Sequence, residues 1–241
     1  MKTKPIFFLV LLAGFVLLSS ETFSQEKEKK QAQPFVQLDA QKIAIEHNKL
    51  MKEFWGKYLK SKSAQFPFSK NFLYDNIVGF LKEKGIIIPF GKSDAFMISE
   101  DPVKGVREKV KEGELKSFLI TSLNQLNGIS DTQIPDFLKK IKKNSENLKE
   151  RQDINIANIF IAVAEKSYDL YTSKDWENIL QEYYNSNNQV KMKPIWKVAT
   201  MVLADAAGAA IGALAGANPA TTVGAATGVS TLATKLLQES K

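Results

Sequence analysis

His47 is the only imidazole in the chain, and it stands beside Glu46, with Glu53 seven residues beyond Glu46 on the same helix face. One imidazole and two carboxylates could hold a divalent metal weakly, but the H-x3-H and H-E-x2-H spacings that make such a site strong are absent. A solvated helix face is the expected setting of His47, and no metal or other cofactor is expected. The chain has no Cys, which removes thiol nucleophiles, thiolate metal sites and a disulfide framework. It contains no G-x-S-x-G elbow, and any serine triad would have to use His47. No phosphate-cradling G-x4-G-K-[ST] loop is present either. No catalytic residue is assigned, and a non-enzymatic protein is expected ahead of an enzyme with a carboxylate-based site.

A basic cluster formed by Lys139, Lys140, Lys142, Lys143, Lys149 and Arg151 could meet nucleic acid or anionic lipid. Asp136, Glu146, Glu150 and Asp153 cut its net charge to +2 across 136–153, so an ordinary solvated face is the expectation. No recognised nucleic-acid module accompanies it, and no nucleic-acid partner is expected. Trp55, Trp176, Tyr183 and Tyr184 fall at helical spacing, where core packing is the default.

The elements behind these residues read as helices. With 44% apolar and 10% aromatic residues, the chain can bury one sizeable core. Asp39 can cap a helix carrying Ile43, Leu50, Phe54 and Tyr58, and Ser69 can cap one carrying Phe72, Leu73, Ile77 and Phe80 that stops at Gly85. Residues 86–90 are β-branched and proline-ended, an extended connector or one edge strand. Asp101 and Pro102 open a helix whose pattern continues through Leu115 and Leu126 to Gly128. Further amphipathic stretches cover 134–149, open at Asp153 and open at Ser173. Six or seven helices make 36–187 an all-α domain.

The N-terminus carries an address. A basic start with Lys2 and Lys4 precedes the apolar run 6–18, which matches a signal h-region and falls short of the ~20 residues a membrane span needs. Thr22 and Ser24 suit signal peptidase, so 1–24 is read as a cleaved export signal, with an uncleaved anchor as the alternative. Cleavage lowers the net charge from +7 to +6. Residues 25–35 are a charged, low-complexity, disordered tether. Export without cysteines points to a bacterial periplasm, outer envelope or secreted location.

Past the linker 188–194 the composition changes. Of the 35 residues from 199 to 233, 18 are Gly or Ala, and Asp205 is the only charge. Gly208, Gly212 and Gly216 recur every four residues, as do Gly224 and Gly228 after Asn218 and Pro219. Each glycine costs a helix about 1 kcal/mol relative to alanine, and this spacing lines one face that admits a close neighbour. Segment 195–241 is therefore expected to form an antiparallel Gly/Ala-rich hairpin, with Gly212 facing Gly224 and Gly208 facing Gly228. In that register Asp205 meets Thr231, with Lys235 one turn on; a carboxylate in a dry seam needs such a donor or counter-charge. Lys193, Trp196 and Lys197 look like a membrane-interface anchor at one end.

At Gly208, Gly212, Gly216, Gly224 and Gly228 the tail resembles glycine-zipper segments, and more loosely the glycine-rich helical peptides of two-peptide bacteriocins. That resemblance implies insertion into bacterial membranes. The fold class is thus all-α, a helical bundle followed by the hairpin. The function expected is membrane association or self-association of the hairpin in an exported, non-enzymatic protein. The alternative is a soluble periplasmic or secreted binding protein whose hairpin packs within its own core.

Overall fold

The computed structural model describes residues 37–62, 68–185, 198–216 and 218–239, with backbone alone at 184–185 and 235–239. The signal 1–24, the tether 25–35, the linker 188–194 and the anchor residues Lys193, Trp196 and Lys197 lie outside the described residues. All the described residues belong to one unit, Val36–Lys241.

The protein is all-α. Ten α-helices follow one another, with no strand among the described residues: α1 Ala40–Glu53, α2 Lys70–Glu83, α3 Lys92–Glu100, α4 Pro102–Lys109, α5 Glu114–Asn127, α6 Ile134–Ser145, α7 Arg151–Tyr171, α8 Lys174–Asn185, α9 Val198–Gly216 and α10 Pro219–Glu239. A π-turn at Phe54–Tyr58 and a 3-10 turn at Leu59–Lys62 continue α1.

Local chemistry sets the helix starts. The Asp39 side chain accepts from the Lys42 amide at 3.0 Å, Ser69 from Phe72 at 3.1 Å and Asp101 from Lys104 at 2.8 Å. Each bond satisfies an amide that the first turn leaves without a partner. Gly85, at φ 71°, ends the turn after α2. Two departures from the sequence expectation lie nearby. The single helix expected from Pro102 to Gly128 is broken at 110–113, where Gly113 takes φ 154°, and 92–100 forms the additional helix α3. Residues 86–88 are the extended connector, not a strand.

α9 is the central rod. It packs on α3, α4, α5, α7 and α10, while α10 also meets α1, α2 and α3. Every residue of α9 from Met201 to Ala213 is buried, as befits a helix that is apolar on all sides. The amphipathic helices of 40–185 supply the surrounding layer. In its aromatic corner, Trp55 packs edge-on to Trp176 and Tyr183, and the Tyr183 hydroxyl donates to the Trp55 carbonyl.

The five tail glycines divide into two sets with different neighbours. A Cβ at Gly208 would lie 3.0 Å from the Ala225 carbonyl oxygen and 3.1 Å from Val229 Cβ; at Gly212 it would lie 2.4 Å from Ala225 Cβ, and at Gly216 2.0 Å from Thr221 Oγ1. These contacts climb α10 as they descend α9. Gly224 and Gly228 face elsewhere. A Cβ at Gly224 would lie 2.7 Å from the Ile87 carbonyl oxygen, and one at Gly228 2.6 Å from Ile88 Cδ1. The expected facing of Gly212 with Gly224 and of Gly208 with Gly228 does not occur. Thr221, Ala225 and Val229 meet α9 instead, and since each residue advances about 100° around a helix, 224 and 228 are turned onto the 86–88 connector.

Candidate functional site

The most concentrated polar chemistry of the described residues lies in the middle of the bundle, where four helices each contribute a side chain. α1 brings His47, α7 its terminal Tyr171, α9 brings Asp205, and α10 brings Thr227 and Ser230. Thr227 and Ser230, three residues apart, share a helix face. Tyr171 is held by Trp176, whose ring centroid lies 5.3 Å away.

The Nε2 of His47 lies 3.0 Å from Oδ2 of Asp205, and the Tyr171 hydroxyl donates to the same oxygen at 2.7 Å. The Tyr171 oxygen is also 2.6 Å from Ser230 Oγ. Tyr171 has one proton and gives it to the carboxylate, so Ser230 is the donor in that second bond. On the far side of the ring, Nδ1 lies 3.2 Å from Thr227 Oγ1: a neutral ring accepts there, a protonated ring donates. Burial first, and then the Asp205 carboxylate, hold the Tyr171 hydroxyl well above the usual phenol range, which keeps it a donor. Asp205 Oδ1 is buried without a hydrogen-bond partner. His47 and Asp205 are both 0% exposed.

This arrangement corrects two expectations. His47 is in the core, not on a solvated face, because it occupies the apolar stripe of α1 between Ile43 and Leu50. Asp205 is met from α1 and α7, not by Thr231, whose hydroxyl is turned to Met51 Sδ at 3.7 Å. The side chain of Lys235 lies outside the described residues. The sequence did hold a signal for His47, since 43, 47, 50 and 54 step by four, three and four, the spacing of a buried helix face.

Chemically the cluster is a sealed network. Ser230 bonds to Tyr171 and not to His47, which is not the order of a nucleophilic triad. No group of three His, Cys, Asp or Glu side chains suited to a metal occurs among the described residues. The basic residues 139, 140, 142, 143, 149 and 151 are solvent-exposed. Trp55, Trp176 and Tyr183 are core residues, and the side chain of Tyr184 lies outside the described set.

One cleft of about 680 Å³ opens beside the C-terminal end of α9, lined by the apolar Phe90, Leu115, Ile211 and Leu214 and by the charged Asp94, Lys109, Lys111, Glu112 and Asp153. Burial, followed by the Glu150 and Glu114 carboxylates, pushes Asp153 above the usual carboxylate range.

Fold and site together define an all-α bundle organised around a buried His–Asp pair. No protein-family model matches the chain, and neither a curated protein nor a solved structure is significantly similar to it.

Proposed function

We infer that this chain is an exported, non-enzymatic binding protein whose C-terminal helix pair is the core of its own bundle. One observation carries the reading: all five tail glycines are already filled from within the chain, three by α10 and two by the 86–88 connector. A small-residue face used in this way is not free to zip against lipid-embedded helices or a second copy. Export is supported by the basic start and apolar run at 6–18. The cleft of about 680 Å³, lined by both apolar and charged side chains, has the size of a small-ligand site and gives such a protein a place to bind.

Truncation after residue 194 tests this. If the pair is the core, the shortened chain loses cooperative unfolding, because the rod against which α3, α4, α5 and α7 pack is gone. A truncated chain that still unfolds cooperatively at the same midpoint would mean the pair is an appendage, as an anchor would be.

A second reading is favoured by α9 itself, the one helix among the described residues long and apolar enough to cross a membrane by length and composition. In that reading the bundle is a sheath, and the pair associates with a membrane once it has left the core.

A further inference from the structure

We propose that the His47–Asp205 pair is an acid-released latch, and that low pH lets α9 and α10 leave the bundle for an anionic bilayer. The proposal rests on the second reading above and adds its trigger. From Val198 to Thr234, Asp205 is the sole ionisable side chain. Lys235 and Glu239 follow only in the last turns of α10, so 198–234 has a single electrostatic obstacle to lipid, and inside the bundle that obstacle is bonded to the chain's one imidazole.

The other groups facing the pair do not titrate in the acid range. α7 presents Tyr171, a phenol whose ionisation lies on the alkaline side, and α10 presents the hydroxyls of Thr227 and Ser230. Within this buried cluster, the groups that can respond to acid are His47 and Asp205.

Its direction follows from counting protons. Asp205 can enter hydrocarbon at modest cost only when protonated. His47, left behind in an opened and wet bundle, can take up a proton in acid as any hydrated imidazole does. In acid the released state thus holds two protons on these groups. The latched pair holds one if it is an ion pair, and none if the imidazole is neutral and the carboxylate ionised. Either way release takes up at least one proton, and acid favours it by up to about tenfold per pH unit for each proton.

Geometry allows the transfer. α9 has 19 residues, about 28 Å at 1.5 Å per residue, close to the ~30 Å of a bilayer's hydrocarbon. The turn joining it to α10, at Gly216, Asn218 and Pro219, bears no charge. The net charge of +6 left after removal of 1–24 directs the chain to an anionic surface.

The test is flotation of the mature chain, from residue 25 to 241, with phosphatidylglycerol–phosphatidylcholine vesicles. Wild type should be captured more at pH 5 than at pH 6.5, by up to about thirtyfold for one proton taken up. The H47Q/D205N variant puts neutral amides in place of both titrating groups, so its capture should differ by less than about twofold over that range. Amide exchange on wild type, corrected for the intrinsic effect of pH, decides the matter if that variant does not fold. At pH 5 with vesicles, α1 should lose protection while 198–234 keeps it. No capture at pH 5, equal capture at both pH values, or a variant as pH-sensitive as wild type would overturn the latch. Acid opening without capture would overturn it as well, and would leave the packed-core reading standing.

Discussion

His47 Nε2 and Asp205 Oδ2 meet at 3.0 Å across a sequence separation of 158 residues, with both side chains sealed from water. Their contact ties the first described helix to the ninth. Asp205→Ala leaves the His47 and Tyr171 donors without an acceptor in a dry core, and breaking a buried pair from one side costs about 3–5 kcal/mol. Urea unfolding should therefore show a midpoint far below wild type with an unchanged slope. A near-native midpoint would mean that the pair contributes little to the fold.

Gly212→Ala sets two effects against each other. Alanine gains about 1 kcal/mol of helix propensity, but its Cβ would sit 2.4 Å from Ala225 Cβ, and overpacking of that kind costs about 1–3 kcal/mol. The clash dominates because the contact joins two packed helices. Gly56 is the control, since a Cβ there meets Ile179 Cδ1 at an ordinary 3.7 Å. Thermal unfolding should place Gly56→Ala at or near wild type and Gly212→Ala clearly below it; the reverse order would refute the close approach of α9 and α10.

Stability should fall in alkali. Burial raises the phenols of Tyr171 and Tyr183 above the ordinary value, with Asp205 adding to the effect on Tyr171. Above about pH 10 the unfolded chain loses protons that the folded chain keeps, so ionisation favours unfolding. The stability from these two groups is complete below that pH and is lost as the pH climbs toward their folded values. Phenolate absorbance should rise together with the loss of helix. Tyr171 and Tyr183 ionising only as the helix signal disappears is the expected pattern, and phenolate forming at both in a folded protein would contradict it.

Asn155 acts as a clasp. Its side chain accepts from the Leu38 amide at 3.0 Å and donates to the Leu38 carbonyl at 2.8 Å, satisfying both backbone groups of a buried residue. Asn155→Ala should cost about 1–3 kcal/mol and speed amide exchange at Leu38. Unchanged exchange there would show that the chain entering α1 is held by other means.

Much of the helical layout was legible, and the reason is local. Asp39, Ser69 and Asp101 are short polar side chains placed just before apolar periodicity, and the hydrogen bonds that cap a helix depend only on neighbours within three residues. Gly113 was harder, because the pattern on either side of it runs on as though unbroken. The glycine spacing in α9 announced a close neighbour but did not fix which residues would fill it, since a one-residue change of register exchanges Gly224 for Ala225. The neighbouring Glu46 points His47 toward solvent, whereas its step from Ile43 and to Leu50 places it in the core. That Asp205 would take its partners from α1 and α7 could not be read locally, because the contact is made only when the whole bundle closes.

The rod at the centre of this bundle is also one of the later parts to be made. Eight helices leave the ribosome before α9 does, and α3, α4, α5 and α7 each lack their shared inner wall until it arrives. Synthesis and burial therefore run in opposite order, and the nascent chain must hold its apolar stripes uncommitted through most of its translation. The core can therefore close only once α9 and α10 have both been made.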